Sequence, residues 1–253
     1  MTDASYERSA NIAILRAVLW VSVSLATVRL CRALSDSSNL NQGTKLFLLS
    51  WAAVMIAGSK GSNKFSFGMT LQRAAQLLAC VIVALLVAAY WRIPIQSRAY
   101  FSAIIGIAVY AFVEESIFRE FLARKLQTEA SAAVRNHSLQ TLLAAAVSTV
   151  AFTAGHFVTS SGFQLLLATD VAYHVLRLTV MGFCFWGMYR LRGLMVAAVG
   201  HTLINLAVLS NSPFERSESR LLLTCGILLL VVLATISLNG QAQTAARTPA
   251  PHL

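Results

Sequence analysis

Long apolar runs are the feature that most constrains what this chain can fold into. They extend over roughly 17 to 20 residues, about the length that an α-helix needs to cross the hydrocarbon core of a bilayer. Of 253 residues, 57% are hydrophobic and only 12% are charged, with a mean hydropathy of +0.67. A soluble domain would carry about 25% charged residues. The pattern therefore predicts an all-α fold, a polytopic transmembrane helical bundle.

The placement of the apolar runs predicts about eight spans and one domain. We expect residues 1–238 to form a single transmembrane domain, and the polar, Pro-containing tail 239–253 to be disordered. The first run is predicted to be a retained span, because no small-x-small cleavage site follows it. A window of about 19 residues places the spans at 12–30, 46–58, 74–91, 99–118, 139–158, 171–189, 194–210 and 220–238.

The basic residues indicate membrane orientation. The net charge is +10, but most Lys and Arg lie between apolar runs, where they orient helices and meet anionic lipid. We therefore expect the lipid bilayer as a partner and no nucleic acid. With eight spans, eleven basic residues lie on the amino-terminal side of the membrane and seven lie on the opposite side. The eleven are Arg8, Lys60, Lys64, Arg73, Arg119, Arg124, Lys125, Arg135, Arg190, Arg192 and Arg247, and the seven are Arg29, Arg32, Lys45, Arg92, Arg98, Arg216 and Arg220. The excess predicts cytoplasmic termini, and the composition fits a multi-pass protein of a bacterial inner membrane.

The four cysteines, Cys31, Cys80, Cys184 and Cys225, fall in or beside apolar runs and show no CxxC spacing. The sequence therefore predicts neither a disulfide framework nor a zinc finger.

Two adjacent glutamates and an arginine at the end of the fourth run are the first candidate functional residues. Glu114, Glu115 and Arg119 fall in the stretch Ala-Phe-Val-Glu-Glu-Ser-Ile-Phe-Arg-Glu, and a carboxylate at membrane depth is costly unless it is paired or lines a wet cavity. Glu115 and Arg119 are spaced i,i+4, which suits an ion pair, and leave Glu114 free to exchange protons. The alternative interpretation is an ion pair that fixes helix packing or lies at the headgroups.

Two further motifs carry polar groups into apolar helices. Phe152 and His156, and likewise His201 and Asn205, are four residues apart, so each pair projects from one helical face. A lone histidine in such a helix is more often a hydrogen-bonded packing residue. The pair of His201 and Asn205 is harder to explain in that way, because a buried Asn needs partners for both ends of its amide.

The ordered set Glu-Glu-x-x-x-Arg, Phe-x-x-x-His and His-x-x-x-Asn resembles the CPBP family of intramembrane glutamic proteases. This family includes the type II CAAX prenyl proteases and the Abi-type proteins, and the resemblance covers about residues 99–210. It implies an endopeptidase that hydrolyses a peptide bond with a glutamate-activated water, processing a membrane-associated or C-terminal segment of a protein or peptide substrate. The first three spans and the tail carry no part of the motif set.

The resemblance also implies roles for individual residues. Glu114 would be the general base, and His156 would also hold the water; His201 and Asn205 would donate hydrogen bonds to the oxyanion. The supporting residues would be Glu115, Arg119 and Phe152. We expect no cofactor. Zinc is the alternative, since Glu114, His156 and His201 form a two-His, one-carboxylate set, although no His-Glu-x-x-His occurs.

Two other functions remain open from the residues themselves. Buried Glu, His and Arg also mark proton- or ion-coupled transporters, and a catalytically silent scaffold or immunity protein would keep the same helices. Asp170 and His174 are i,i+4, with Arg177 further along, and we interpret them as a structural pair rather than as part of the motif set.

Finally, literal span boundaries would put Glu114 and His156 near opposite faces of the bilayer. The motifs require the fourth helix to continue past Phe118, or the fifth to start later.

Overall fold

The computed structural model describes residues 3–37, 39–58, 67–93, 95–157 and 171–209. Within these ranges the regular structure is entirely helical, and no strand occurs in them. The all-α prediction is therefore confirmed. The helices are α1 (Asp3–Asp36), α2 (Gln42–Gly58), α3 (Phe67–Tyr90), α4 (Arg98–Glu115), a π-helical segment (Ser116–Leu122), α5 (Ala123–Ala133), α6 (His137–Phe157), α7 (Val171–Arg192) and α8 (Leu194–Leu209).

Among the described residues, four helical stretches are long and apolar enough to cross a membrane: Ser9–Ser35, Thr70–Tyr90, Arg98–Ala133 and His137–Phe157. Two shorter apolar helices cover Gln42–Ala57 and Leu194–Ala207. The chain is thus an integral membrane protein, while the predicted total of eight spans stays a prediction. The eighth predicted span, 220–238, and the predicted disordered tail, 239–253, lie outside the described residues.

The predicted end of the fourth span at Phe118 is wrong. The helix that begins at Arg98 continues through the π-helical segment and α5 to Ala133, a length of 36 residues. Hydropathy misplaced the end because Arg119 and Glu120, which lower the mean hydropathy, are fully buried and paired inside the protein. Arg119 contacts Glu115, and Glu120 contacts Arg73.

The longer helix removes the conflict in depth between Glu114 and His156. Residues 134–136 form a short connection, after which α6 runs back along the long helix. Glu114 lies 20 residues before position 134 and His156 lies 20 residues after position 136. At 1.5 Å per residue both side chains therefore lie about 30 Å from this connection. The two motifs meet at one depth because they lie at equal distances from the connection, on helices that run in opposite directions.

Helices that follow one another in the chain alternate in direction, with Arg98–Ala133 counted as one helix. Trp20 of α1 packs edge-on against Phe121, while Arg32, further along α1, contacts Glu114, so α1 is antiparallel to the long helix. Gly193, with φ +85°, ends α7 by donating its N–H to the Tyr189 carbonyl and turns the chain into α8. Such a left-handed residue after a helix is favourable for glycine, which lacks a Cβ.

Candidate active site

Glu115 is the fully satisfied member of the glutamate pair. It is completely buried, and its two carboxylate oxygens have different partners. His201 Nδ1 lies 3.0 Å from Oε1, and Arg119 Nε donates to Oε2 at 3.2 Å. Glu115 therefore links the long helix to α8 and has no oxygen left over for a substrate.

Arg119 is anchored by the long helix and by α6. Its Nη1 donates to Ser148 Oγ at 3.1 Å, and that hydroxyl donates to the Phe118 carbonyl at 2.7 Å. The same carbonyl accepts the N–H of Ala123, five residues on, which is the hydrogen bond of a π-helix. The wider turn and the Ser148 hydroxyl thus fix the backbone from which Arg119 projects. Its guanidinium lies 5.0 Å from the centroid of the Phe152 ring.

Glu114 has a different environment from its neighbour. It is 3% exposed, and its Oε2 lies 3.5 Å from His201 Nε2 and 4.0 Å from His156 Nε2. Its Oε1 lies 3.6 Å from Arg32 Nη2. All three separations are longer than a typical direct hydrogen bond. The structure thus brings the predicted residues Glu114, His156 and His201 around one carboxylate oxygen.

Both histidine rings are oriented through Nδ1. His156 Nδ1 lies 2.9 Å from the Phe152 carbonyl oxygen; a carbonyl can only accept, so Nδ1 carries the proton of this hydrogen bond. His201 Nδ1 makes the corresponding bond to the Glu115 carboxylate. In both residues Nε2 is the nitrogen that faces Glu114, so the two imidazoles present the same edge to one oxygen.

Aromatic rings form the wall behind the histidines. The Phe152 centroid lies 4.6 Å from that of His156 and 5.8 Å from that of His201, both in edge-on arrangements. Phe185 of α7 stacks on His201 with a centroid distance of 4.6 Å and an interplanar angle of 16°. The predicted wall residue Phe152 is therefore in place. These contacts, made by fully buried phenylalanines, restrict the motion of both imidazoles.

Asn205 lies one turn after His201 on α8 but forms no hydrogen bond to either glutamate in the described part of the chain. It is half-buried and lines a cavity of about 480 Å³. Arg32 and Tyr110 line the same cavity, with the guanidinium carbon of Arg32 3.9 Å from the Tyr110 ring centroid. Arg32 therefore connects the cavity to Glu114. The other lining residues are Ser35, Gln42, Lys45, Leu46, Leu49, Ser102, Ala103, Gly106 and Ile107.

Sequence reasoning missed three residues of this site. Arg32 was counted among the charges between apolar runs, but it contacts Glu114. Ser148 is four residues before Phe152 and eight before His156, on one helical face, a spacing that could have indicated it. Phe185 gives no signal within its apolar run. Of the residues interpreted as a structural pair, His174 lies on α7 and Asp170 lies outside the described residues.

Metal ligation was tested on the same side chains. Over the described ranges, no group of three or more His, Cys, Asp or Glu is arranged to hold a metal ion.

The fold and the cluster together define a class: an integral membrane protein of helices with a buried glutamate–histidine site. Residues 96–207 match the family described as type II CAAX prenyl endopeptidase Rce1-like. No curated protein and no solved structure matches the chain. This family falls within the CAAX proteases that the motifs resemble. The match supports a CAAX-protease-like intramembrane endopeptidase. Arg32, on α1, lies outside the matched residues.

Proposed function

We propose that the protein is an intramembrane endopeptidase in which Glu114 activates the attacking water. The observation that carries the proposal is the convergence of Glu114 Oε2 with the Nε2 atoms of His201 and His156 at 3.5 and 4.0 Å. Polar atoms at such separations are often bridged by one water. Glu115 cannot take this role, because its oxygens already bind His201 and Arg119. Of the two glutamates, Glu114 is the one with an acceptor available.

The tautomer of His156 suits it to hold that water. Since its Nδ1–H is used by the Phe152 carbonyl, a neutral His156 has a lone pair at Nε2 and accepts one hydrogen of the water. The other hydrogen points to Glu114. Removal of that proton by Glu114 lets the water oxygen add to the scissile carbonyl carbon. Glu114 then gives the proton to the amine nitrogen as the C–N bond breaks, which leaves a carboxyl and an amine product.

His201 and Asn205 are proposed to stabilise the oxyanion. With its Nδ1–H donated to Glu115, His201 must carry a second proton to donate through Nε2, so the donor form would be the imidazolium. Asn205 offers its amide from the cavity side. Donors of this kind act on charge that develops only in the transition state, and removing one typically costs about 100- to 1000-fold in turnover.

The reaction as written needs no cofactor, because every proton and bond is accounted for by water, Glu114 and the substrate. Zinc held by Glu114, His156 and His201 is the alternative. A zinc chelator distinguishes the two: the glutamate scheme predicts unchanged cleavage after chelation and dialysis, whereas loss of activity restored by zinc would select the alternative.

The substrate is proposed to be a membrane-associated or C-terminal segment of a protein or peptide, which enters by the cavity of about 480 Å³. The cavity wall combines Arg32, Lys45 and Asn205 with the apolar side chains of Leu46 and Ile107. Such a wall can accept a segment that is partly apolar and partly polar, and its two cations favour a carboxylate. Segments at the end of a chain supply that group.

The proposal is tested by cleavage of a fluorescence-quenched membrane peptide by the purified protein in nanodiscs. Glu114→Gln keeps the shape of the side chain but removes the base, so we expect turnover to fall by at least about 100-fold. The matched control is Glu129→Gln on α5, whose carboxylate contacts Trp20 and Arg16 away from the site; it should cleave at the wild-type rate. Equal turnover by wild type and Glu114→Gln would contradict the proposal.

A further inference from the structure

A second cavity lies on the other side of Arg119 from the catalytic cluster. Its volume is about 280 Å³, and it is enclosed by side chains of α5, α6 and α7 together with Arg119. None of the residues proposed to touch the water or the oxyanion lines it. The lining residues are Arg119, Ala123, Arg124, Gln127, Thr141, Ala144, Trp186, Tyr189 and Arg190.

Arg119, which lines this cavity, has one donor left over. Nε binds Glu115 and Nη1 binds Ser148, but Nη2 is buried without a hydrogen-bond partner in the part of the chain that the structure describes. The whole Arg119 side chain is buried. A buried donor on a charged group is rarely left unsatisfied, because its desolvation then goes uncompensated. Arg119 lines the cavity, and an acceptor that reached Nη2 from there would complete its hydrogen bonds.

The charges around the cavity also favour an anion. Glu120, which is buried, is shared between Arg73 and Arg124, each at 3.0 Å, and accepts the Tyr189 hydroxyl at 2.9 Å. Arg190 lies over the Trp186 ring, 6.0 Å from its centroid. Counting Arg73, Arg119, Arg124 and Arg190 against Glu114, Glu115 and Glu120 leaves an excess of one positive charge. One negative charge would balance it.

We propose that this cavity binds a phosphate group, and that the group belongs to the headgroup of an anionic lipid. Arg124 lies ten residues beyond Glu114 on the long helix, about 15 Å along its axis, towards the end of the span. Trp186 and Tyr189 are residues typical of the membrane–water interface, and clustered arginines there attract anionic lipid. Planar guanidinium groups also match phosphate oxygens with paired hydrogen bonds.

Bound phosphate would be linked to the proposed catalytic cluster by the hydrogen bonds of Arg119. Its Nη2 would hold the ligand while Nε holds Glu115, and Glu115 in turn holds His201. The site itself is defined by binding and does not depend on the proposed hydrolysis. Its test therefore measures ligand retention rather than cleavage.

The experiment compares three forms of the full-length protein: wild type, Arg190→Gln, and the matched control Arg192→Gln. Both arginines are exposed on the last turn of α7, but only Arg190 lines the cavity. Each purified protein is titrated in detergent with phosphatidylglycerol, with phosphatidylcholine, or with inorganic phosphate against chloride at equal ionic strength. Native mass spectrometry measures retained lipid, and thermal unfolding measures stabilisation by each ligand.

We expect wild type and Arg192→Gln to retain phosphatidylglycerol in preference to phosphatidylcholine, and Arg190→Gln to bind it about tenfold more weakly, the effect of one charged hydrogen bond. If inorganic phosphate alone stabilises wild type and Arg192→Gln but not Arg190→Gln, the site takes the phosphate group whatever its source. The proposal is overturned if neither ligand has an effect that depends on Arg190, or if both substitutions weaken binding equally.

Discussion

Glu114 and Glu115 are adjacent on one helix, yet their carboxylates have different surroundings. Successive residues of an α-helix point about 100° apart, so Glu115 faces Arg119 and His201 while Glu114 faces the two Nε2 atoms and Arg32. One carboxylate is fixed by two charged or polar donors. The other has no short hydrogen bond to any residue that the structure describes, and it remains available. This difference in surroundings divides the pair into a support and a candidate base.

At the same scale, Arg32 is predicted to position Glu114. Arg32→Gln removes the cation 3.6 Å from Glu114 Oε1, so the carboxylate loses a restraint on the side opposite the histidines. We expect kcat to fall about tenfold, which corresponds to the loss of about 1.4 kcal/mol of transition-state stabilisation. KM should rise as well, because Arg32 also lines the proposed substrate cavity. Steady-state kinetics on the quenched peptide measures both constants.

Arg29→Gln on the same helix provides the control, because Arg29 is exposed and does not line the cavity. It should keep the wild-type kcat. Arg32→Lys keeps a positive charge and should recover part of the lost turnover. An unchanged kcat in Arg32→Gln would show that Arg32 does not position the base.

Most of the residues of the site could be predicted from the sequence, but Arg32 could not. Glu114, Glu115, Arg119, Phe152, His156 and His201 are recognisable because they form an ordered set of motifs that resembles the CPBP family. Arg32 follows Arg29 near the end of a span, where a cation is usually a headgroup contact. Only the packing of α1 against the long helix shows that its guanidinium reaches inward.

Among the elements, the long helix from Arg98 to Ala133 contributes Glu114, Glu115 and Arg119 to the site. Its π-helical segment, Ser116–Leu122, begins directly after Glu115 and includes Arg119. Such wide turns occur often at functional sites, and here the Phe118 carbonyl accepts the Ser148 hydroxyl in addition to the Ala123 N–H. Hydropathy could not predict the segment, because the hydrogen bonds that stabilise it come from α6, which is distant in sequence.

Close packing of α7 on α6 leads to a prediction at the element scale. A Cβ at Gly182 would lie 2.8 Å from Thr149 Cγ2 and 3.2 Å from Phe152 Cδ1. Thr149 is buried and β-branched, so it cannot easily move. Gly182→Ala should therefore lower the free energy of unfolding by about 1–3 kcal/mol and reduce turnover, since Phe152 supports both histidines.

Gly200→Ala on α8 is the matched control. Its Cβ would also be crowded, at 2.7 Å, but by Met188 Sδ, and an unbranched methionine side chain can rearrange. Alanine gains about 1 kcal/mol of helix propensity over glycine at both positions, so the difference between the two variants isolates the clash. Thermal unfolding in nanodiscs measures it. A Gly182→Ala variant as stable as Gly200→Ala would contradict the packing argument.

For the whole molecule, the alternation of the helices places the two cavities in opposite halves of the bundle. The larger one is lined by the amino-terminal part of α4, with Ser102 and Tyr110, and the smaller one by α5, with Arg124 and Gln127. The apolar runs predict the helical class and most helix positions. They cannot predict cavities, because these depend on which faces of distant helices meet.

The last prediction concerns the side from which substrate arrives. Gln42 is exposed beside the larger cavity, and Arg135 is exposed in the connection at the other end of the long helix. The alternation places these two positions on opposite faces of the membrane. The excess of eleven basic residues over seven predicts that Arg135 is on the cytoplasmic side. In a chain whose four native cysteines are replaced by alanine, a membrane-impermeant maleimide should label Gln42→Cys in intact bacterial cells. Arg135→Cys should be labelled only after permeabilisation.

Labelling of both in intact cells would contradict the alternation of the helices, and the reverse pattern would mean that the cavity opens to the cytoplasm.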